Sequence, residues 1–527
     1  MTHHSLKYPI GIQTFETLRE ESYVYVDKTA LVHKLAKEGH IYFLSRPRRF
    51  GKSLLISTIK AYFQGKKQLF QGLAMEQLET KWDKYPVFHI DFNGKNFNEP
   101  DELNNSILDF LSEAEAEYGI TEKKSDYGGR FKTILAKATE KFNRKAVVLI
   151  DEYDKPLLDV LDTPIENKNR ETLKGFYSTF KLADEYLQFV LLTGVTKFSQ
   201  ISIFSGFNQP NDISMDPAYE TICGITEDEL NNYFTNSMIE MAEEIGTTLE
   251  NVKNDIKQMY DGYHFSMRMT DIYNPFSLLS ALSKRLLEAY WFSTGTPTSL
   301  IKLMERCDEN IDELANEYYP TSQFIDYRAD TQLPLPMIYQ SGYFTIKGYD
   351  RETNEYLLDF PNKEVKQGFI SMIASSYLKP KKSADTWCSK AARALKKGDL
   401  DEFRKLITAF FAGIPYSQRR RATAQEQERD FQYTFYLLLR MIGSYLVFIE
   451  KETSEGRADC VIETKDYIYI FEFKRDGTAK EAIRQINDKG YANEYAIDSR
   501  KLYKIGCDFS TKTGTIDDWA TEETTRP

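Results

Sequence analysis

The sequence predicts an α/β protein in which a parallel sheet comes first, a mostly helical region follows, and a smaller α/β domain ends the chain. Three observations support this prediction. Over the first ~220 residues, short apolar runs alternate with helical stretches. The pattern then becomes helical and rich in aromatic residues, and the last ~140 residues read as helix, hairpin, helix and strand. We expect the three regions to cover residues 1–222, 223–378 and 379–527.

Four apolar runs predict the strands of the first sheet. They are Ile41–Leu44, Val87–Ile90, Ala146–Ile150 and Phe189–Leu192. Near-continuous apolar runs of this length are typical of parallel strands that helices cover on both faces. In the helical region, the residues 343–347 and 356–358 predict a small hairpin.

The composition is that of a water-soluble globular protein, with 41% hydrophobic and 28% charged residues. No apolar run approaches the ~18–20 residues that cross a membrane, and the first residues lack the apolar core of a signal peptide. The five cysteines are scattered without CxxC spacing, which argues against a disulfide framework or a zinc site. We therefore expect a cytoplasmic protein with no membrane partner, and the sequence leaves a homo-oligomer open.

The charge distribution is uneven. The formal net charge of −11 by itself argues against a nucleic-acid binder. The segment 379–421, however, carries 12 Lys and Arg against 4 Asp and Glu, a local charge of +8. Two interpretations stay open, since the segment could be a solvated helical face or a patch that faces nucleic-acid phosphates.

A phosphate-binding loop is predicted after the first strand, where Gly51, Lys52 and Ser53 precede a helix that continues from Leu54. Backbone N–H groups at the start of that helix would hold the phosphates. Lys52 would neutralise the terminal phosphates, and the Ser53 hydroxyl would bind Mg²⁺. Arg46 stands where such loops usually have their first glycine, so the loop must turn differently. Taken alone, the Gly-Lys-Ser string could also be a helix cap.

Other residues of the loop extend this hypothesis. Arg46, Arg48 and Arg49 either bind phosphates directly or pair with acidic residues of the helical region. Phe50 and the backbone of Leu54 complete the expected nucleotide contacts.

An apolar strand that ends in Asp151 and Glu152 supplies the second half of a nucleotide site. Asp151 at the strand tip would hold Mg²⁺ through water, and Glu152 would polarise the attacking water. Thr193 and Lys197 follow the next apolar strand, where a group that senses the γ-phosphate is expected. Each string alone could be structural, but their order along the chain and their positions after strands favour a nucleotide site.

A second constellation of charged residues lies near the C-terminus. Asp459 lies in one predicted strand, and Glu472 and Lys474 end the next. Side chains alternate along a strand, so Glu472 and Lys474 point to one face while Phe471 and Phe473 pack behind. Two carboxylates and an ammonium group at a hairpin can hold a divalent metal and orient a water, as metal-dependent phosphodiesterases require. The alternative is a surface charge pair.

At these residues the chain resembles a bacterial family, the AAA-ATPase-like proteins. Members of that family pair an unusual P-loop ATPase with a C-terminal nuclease-like domain of the PD-(D/E)xK superfamily. The resemblance spans nearly the whole chain. The matching stretches are Pro9–Ile12, Tyr25–Thr29, Ser45–Leu54, Leu149–Asp154, Leu192–Lys197, Tyr260–Tyr263, Tyr273–Phe276, Thr294–Pro297, Gln340–Tyr343, Phe360–Val365, Ile414–Tyr416, Asp459 and Glu472–Lys474.

The resemblance implies a P-loop NTPase sheet, a helical lid or winged-helix-like region, and an α/β domain like that of restriction endonucleases. It also implies ATP binding and a metal site in which Asp459 and Glu472 bind Mg²⁺ or Mn²⁺. Lys474 would orient the attacking water or shield developing charge. Gln485 would line the site, and Glu428 would offer a further carboxylate.

The sequence therefore predicts an ATPase whose nucleotide state regulates metal-dependent cleavage of nucleic acid, with DNA favoured over RNA. One alternative is an ATP-gated module whose nuclease-like domain binds nucleic acid or a partner without cutting. Another is an ATPase switch with a degenerate C-terminal domain. Any biological setting is an analogy of fold rather than a deduction.

Overall fold

The computed structural model describes residues 6–197, 210–292, 300, 303, 314–325, 334–378, 384–412, 435, 438, 439, 446–453, 456–510, 512, 513 and 515–524. The chain divides into two compact units, Met1–Lys366 and Gln367–Pro527. The first unit contains the parallel sheet and the helical region up to Lys366. The boundary predicted between residues 222 and 223 lies inside this unit and stays a prediction.

A parallel sheet forms the centre of the first unit. Its strands are β1 (Ile41–Ser45), β2 (Val87–Asp91), β3 (Ala146–Asp151), β4 (Leu187–Gly194) and β5 (Asn211–Asp212). Within the described residues they pair in the order β2-β3-β4-β1-β5, with every neighbouring pair parallel. All six residues of β3 are buried, as expected for a strand covered on both faces. The four predicted strands are confirmed, whereas β5 was missed because two polar residues carry no strand signal.

Helices make the parallel pairing possible, because the chain must return to the starting end of the sheet before each new strand. None of the helices in the described ranges combines the length and the apolar composition that crossing a bilayer requires. The α-helices are Phe15–Glu20, Thr29–Glu38, Lys52–Phe63, Ala74–Leu78, Glu102–Glu117, Tyr127–Phe142, Lys155–Leu158, Pro164–Tyr177, Thr179–Leu182, Glu227–Ile245, Leu249–Tyr260, Pro275–Lys284, Leu335–Gln340, Lys363–Leu378, Ala384–Lys397, Leu400–Ala412 and Ala479–Asp488, and the short 3₁₀ helices are Lys67–Phe70, Asp184–Tyr186, Thr321–Gln323 and Asn493–Tyr495.

The region that follows the parallel sheet is mostly helical, as the sequence predicts. Its core includes the buried side chains Phe234, Met238, Ile256 and Leu278, which come from three helices. Short strands accompany the helices, namely β6 (Ile225–Thr226), β7 (Ile272–Tyr273), β8 (Glu317–Pro320), β9 (Thr345–Asp350) and β10 (Glu355–Asp359). The predicted hairpin is confirmed as β9 and β10, and β8 adds an antiparallel edge strand to it.

A mixed sheet forms the second unit. Its strands are β11 (Leu446–Thr453), β12 (Gly456–Glu463), β13 (Tyr467–Arg475), β14 (Lys501–Ser510) and β15 (Thr515–Glu523). Among the described residues they pair in sequence order, antiparallel except for the parallel pair β13 and β14. The helix Ala479–Asp488 makes the crossover between those two strands. The predicted α/β domain after the helical region is thereby confirmed.

Candidate functional site

The carboxyl ends of β1, β3 and β4 lie side by side in the first unit. Leu44 in β1 pairs with Thr193 in β4, and Ile150 in β3 pairs with Leu192 in β4. The loops that leave these three strands therefore meet at one edge of the sheet, which is where open parallel sheets bind ligands. Both halves of the predicted nucleotide site are on these loops.

The loop after β1 ends at a helix N-terminus. Gly51 has a φ of 92° and is the N-cap of the helix Lys52–Phe63, and no hydrogen bond from the side chain of a described residue to the N–H groups of the first turn is observed. The N–H groups of that turn are consequently available to an anion such as a phosphate. The Lys52 side chain is buried, and its Nζ donates hydrogen bonds to the carbonyl oxygens of Arg46 (3.0 Å) and Pro47 (3.2 Å). Ser53, the expected Mg²⁺ ligand, lies partly buried in the first turn.

The Arg46 side chain points into the protein, where it is 1% exposed. Its guanidinium donates to the carbonyl oxygens of Ser45 (2.9 Å) and Ser214 (2.7 Å) and lies 4.0 Å from the centre of the Phe265 ring. Longer contacts of 3.4 Å reach two further carbonyl oxygens. Among the described residues these contacts are with carbonyl groups and an aromatic ring rather than with the carboxylates that one sequence interpretation expected. A direct contact between Arg46 and a phosphate stays a prediction.

Arg48 and Arg49 differ from Arg46, because both are exposed. Arg49 has a φ of 69° and its guanidinium lies 5.0 Å from the centre of the Phe276 ring. Phe50 is buried and makes edge-to-face contacts with Tyr263, at 4.8 Å between ring centres, and with Phe265. Phe50 therefore anchors the loop in the core of the unit, and Leu54 follows, partly buried, in the first helical turn.

Asp151 and Thr193 contact each other at the ends of their neighbouring strands. The Thr193 hydroxyl donates to Asp151 Oδ1 at 2.6 Å, and the backbone N–H of Glu152 donates to the same oxygen at 3.1 Å. Asp151 is buried, whereas Glu152 is partly exposed and has a φ of 54°. A left-handed backbone at a residue other than glycine is costly and recurs at functional sites. The structure thus brings together three of the residues that the sequence singled out.

Lys197 was expected near the γ-phosphate, and in the structure its ammonium group forms an ion pair with Asp212. The distance from Lys197 Nζ to Asp212 Oδ2 is 2.8 Å. The backbone N–H of Lys197 also donates to Gln340 Oε1 at 2.7 Å. Lys197 therefore connects the end of β4 with β5 and with the helical region, and a phosphate contact would require this ion pair to rearrange.

Asp154, which follows β3, is a site residue that the sequence did not single out for a role. Its Oδ2 accepts hydrogen bonds from the N–H groups of Val195 (3.0 Å) and Thr196 (2.6 Å). Burial, with the charge of Glu152 as a further cause, raises the pKa of Asp154 to about 7. The backbone passes so close that a Cβ at Gly194 would lie 2.5 Å from Asp154 Oδ1. The acidic residue shortly after a strand end was the available signal.

We expect the variant Asp154→Asn to change the pH dependence of folding stability. Asparagine keeps an oxygen that accepts both N–H groups but removes the buried charge. The folded-state pKa lies above the unfolded value of ~3.9, so the wild type loses stability as the pH rises from about 4 to 7. The free energy of unfolding of the variant minus that of the wild type should therefore increase between about pH 4 and pH 7 and stay constant above pH 7. Urea unfolding at pH 5 and pH 8 measures this, and a difference that is the same at both values would contradict it.

The predicted C-terminal residues converge on β12 and β13. The Asp459 side chain, on β12, accepts a hydrogen bond through Oδ2 from the backbone N–H of Phe473 at 2.8 Å. This N–H lies between Glu472 and Lys474 on β13, and Lys474 Nζ lies 3.4 Å from Glu472 Oε1. Asp459 is partly exposed and Glu472 is 1% exposed. The carboxylates thus come from adjacent strands.

Gln485 is close to the same cluster. Its Oε1 accepts a hydrogen bond from Lys474 Nζ at 2.6 Å. The helix Ala479–Asp488, which carries Gln485, lies so close to β14 that a Cβ at Gly506 would be 2.1 Å from the Ala479 carbonyl oxygen. Gly506 pairs with Glu472 in the sheet, so a glycine on the neighbouring strand allows this helix to reach the site. Sequence reasoning missed the role of Gly506.

The electrostatics of Glu472 fit a bound cation. Burial and, to a smaller extent, the nearby Asp459 carboxylate raise the pKa of Glu472 to about 7, although Lys474 opposes both effects. Among the described residues, the buried Glu472 Oε2 has no hydrogen-bond partner. A buried carboxylate oxygen without a partner costs free energy, and a hard divalent cation is the partner that two carboxylates favour. The donor set therefore fits Mg²⁺ or Mn²⁺. Glu428 lies outside the described residues.

The described part of the basic segment lies on the other side of the sheet from this cluster. It comprises the helices Ala384–Lys397 and Leu400–Ala412, and Phe403 of the second helix packs against Phe471 with ring centres 6.1 Å apart. Phe471 and Glu472 project from opposite faces of β13. The exposed basic residues of these helices are Lys390, Arg393, Lys396, Lys397, Arg404 and Lys405. Their position favours the solvated-face interpretation for the segment 384–412, and the basic residues at 379, 381, 382 and 419–421 lie outside the described residues.

A second group of carboxylates, in the first unit, belongs to an ion-pair network. Ligand atoms of Glu227, Asp261 and Asp271 lie within 4.8 Å of one another. Lys257 Nζ lies 2.7 Å from Glu227, 3.3 Å from Asp271 and 3.6 Å from Asp261. His264 Nε2 also lies 2.8 Å from Asp271 Oδ1. Because the Lys257 ammonium group already forms ion pairs with all three carboxylates, we assign these carboxylates a structural role.

Comparison with known proteins agrees with the family resemblance of both parts of the chain. Residues 9–204 match a family model described as a predicted AAA-ATPase, and residues 426–519 match one described as the PD-(D/E)XK nuclease superfamily. An uncharacterized protein encoded in the vnfD 5′ region of Azotobacter chroococcum mcd 1 is 34% identical over 519 residues. The alignment covers 97% of this chain and 98% of that protein. The similarity therefore extends along both units.

Proposed function

The chain belongs to the family of predicted AAA-ATPases and carries a domain of the PD-(D/E)XK nuclease superfamily, and on this premise we propose an ATP-regulated nuclease. The first unit binds and hydrolyses ATP, and the second cleaves phosphodiester bonds of nucleic acid. The observation that carries the cleavage proposal is the convergence of Asp459, Glu472, Lys474 and Gln485, with a buried Glu472 oxygen that has no hydrogen-bond partner within the part of the chain that the structure describes. A surface charge pair would leave no such oxygen.

In the nucleotide site, phosphates bind to the N–H groups of the loop and of the first turn that begins at Lys52. The Lys52 ammonium group, which now donates to two loop carbonyl oxygens, turns to the phosphates and neutralises them. Ser53 and Asp151 are the residues that would hold Mg²⁺, which lowers the charge repulsion between phosphates when bound. Glu152 orients the attacking water, and Thr193 keeps the Asp151 carboxylate in place through its hydroxyl.

In the nuclease-like site, Asp459 and Glu472 would hold the divalent metal ion. When bound, this ion supplies Lewis-acid polarisation of the phosphate and of the attacking water. The chain's own groups do the rest. The Phe473 N–H orients the Asp459 carboxylate, Gln485 holds the Lys474 ammonium group in position, and Lys474 offsets the negative charge that grows on the phosphate during cleavage.

We propose nucleic acid as the substrate, with DNA favoured over RNA, and the features that follow support a substrate with phosphodiester bonds. Phosphodiester cleavage is the chemistry that two carboxylates, a lysine and a divalent metal ion perform together. The exposed Arg48 and Arg49 suit the phosphates of a nucleotide. Among the described residues of the other unit, the Glu472 oxygen without a hydrogen-bond partner suits a divalent metal ion. Having both candidate sites on one chain supports the proposal that ATP regulates cleavage.

A cleavage assay on a set of nucleic acids tests the proposal. Plasmid DNA, linear duplex DNA, single-stranded DNA and RNA are incubated with the full chain, with Mg²⁺ or Mn²⁺, and with or without ATP. We expect metal-dependent cleavage of at least one substrate and a different rate when ATP is present. ATP hydrolysis without cleavage of any substrate would instead support a gated module that binds nucleic acid or a partner.

A further inference from the structure

We propose that Trp291 and Glu364 are positioning residues of the nucleotide site, which hold the backbone of the phosphate loop in its binding conformation. This inference rests on the proposed ATP site. Neither residue carries a group expected to touch the nucleotide. Both belong to the helical region, so the proposal assigns to that region a direct part in shaping the phosphate loop.

The helical region contacts the loop along its length. The ring of Pro47 lies against Gly342, where an added Cβ would be 2.6 Å from Pro47 Cβ. Arg49 lies over Phe276, and Phe50 packs against Tyr263. A usual phosphate loop relies on glycines for its shape. Here Arg46 takes the place of the first glycine and only Gly51 remains, so contacts with surrounding side chains help to determine the loop conformation.

Trp291 holds a peptide group of the loop. The Trp291 side chain is 7% exposed, and its indole N–H donates to the Arg48 carbonyl oxygen at 3.0 Å. Because the C=O and N–H of a trans peptide point in opposite directions, this bond directs the N–H of Arg49 away from the indole. Arg49 is also the loop residue with a left-handed φ of 69°. Such a conformation persists only where the surroundings over-determine it, and the bond from Trp291 is such a constraint.

Glu364 in turn holds Trp291. Glu364 is 1% exposed in the first turn of the helix Lys363–Leu378, and its Oε1 accepts the backbone N–H of Trp291 at 2.7 Å. The indole ring is further held by an edge-to-face contact with Tyr343, at 5.2 Å between ring centres. Burying a carboxylate is costly unless it makes specific hydrogen bonds. Glu364 therefore fixes the position from which Trp291 reaches the Arg48 carbonyl.

Conservative variants of the full chain separate positioning from folding. Trp291→Phe keeps the ring against Tyr343 and removes only the indole N–H. Glu364→Gln keeps an oxygen that accepts the Trp291 N–H, whereas Glu364→Leu removes it. Trp387→Phe is the matched control, because the Trp387 indole N–H also donates to a backbone carbonyl oxygen, that of Leu406 at 2.9 Å, in the second unit.

The measurements are ATP affinity by titration calorimetry, steady-state ATP hydrolysis and thermal unfolding. We expect Trp291→Phe and Glu364→Leu to weaken ATP binding about 5-fold to 10-fold, the worth of one hydrogen bond. The KM for ATP should rise while kcat at saturating ATP changes less than 2-fold. Glu364→Gln and Trp387→Phe should bind ATP within about 2-fold of the wild type. If Trp291→Phe unfolds at a clearly lower temperature than the wild type, the ATP affinities of Glu364→Gln and Glu364→Leu are compared instead. A weaker affinity of Glu364→Leu alone then supports the positioning role.

Two results would overturn the inference, and they differ in what else they overturn. If the wild type binds ATP and both Trp291→Phe and Glu364→Leu bind it equally well, the positioning role is wrong and the proposed function stands. If the wild type binds no ATP at all, the proposed nucleotide site is wrong, and the positioning role falls with it.

Discussion

Glu472→Gln is expected to lower the rate of metal-dependent nucleic-acid cleavage by about 10²-fold to 10³-fold, comparable with the cost of removing one preorganised group that stabilises the transition state. Glutamine has nearly the same size and shape, so the packing around the buried side chain is retained. What disappears is the negative charge, and with it one of the two carboxylates that fit a divalent cation. Gel-based cleavage of plasmid and linear duplex DNA measures the effect.

The same experiment has an internal control and a metal control. Glu523→Gln makes the same chemical change at an exposed position on β15 of the same sheet, and its cleavage rate should equal that of the wild type. Removal of metal by a chelator should abolish wild-type cleavage, and added Mg²⁺ or Mn²⁺ should restore it. Equal cleavage by Glu472→Gln and the wild type would show that these carboxylates are not the cleavage site. Nucleic-acid binding should survive the substitution.

Lys52→Ala is expected to weaken ATP binding by about 10-fold to 100-fold, because a charge-assisted hydrogen bond contributes ~1.5–3 kcal/mol. ATP hydrolysis should fall at least as far, since the same ammonium group offsets charge in the transition state. In the proposed regulation, the effect of ATP on cleavage should disappear as well. Titration calorimetry, phosphate release and the DNA cleavage assay measure the three consequences in one protein preparation.

Lys60→Ala is the matched control for this prediction. Lys60 lies in the last turn of the same helix and is partly exposed, so its loss removes a positive charge without altering the phosphate loop. ATP affinity should stay within about 2-fold of the wild type. If Lys52→Ala and Lys60→Ala behave alike, the loop after β1 is not the nucleotide site. If cleavage still responds to ATP in Lys52→Ala, the proposed coupling is wrong.

Much of the fold could be predicted from local patterns. Runs such as Ala146–Ile150 and Phe189–Leu192 have the length and the apolar composition that are typical of strands covered on both faces, and each is a strand in the structure. The strand β5, by contrast, consists of Asn211 and Asp212. This strand forms because β1 has a free edge with which it can pair, and the sequence around residues 211 and 212 does not indicate that pairing.

In the candidate sites, too, some side-chain positions could be predicted from the sequence and others could not. Side-chain alternation along a strand predicted that Glu472 and Lys474 share a face, and the distance of 3.4 Å between them agrees. The placement of Arg46 could not be predicted, because an arginine beside a phosphate loop is expected to face the phosphates. Its burial among carbonyl oxygens depends on the chain around Ser214, which is distant in sequence.

The sequence by itself determined which residues are candidates for the chemistry, since a loop lysine, strand-end carboxylates and a Glu-x-Lys pair are each recognisable from type and spacing. It also determined the order of the regions and the family. Only the tertiary structure decided which groups meet. Asp154 reaches the loop after β4, Trp291 reaches the Arg48 carbonyl, and Gly506 admits the helix of Gln485 because segments far apart in sequence pack closely. Packing of that kind depends on the shape of the whole unit, which local spacing does not encode.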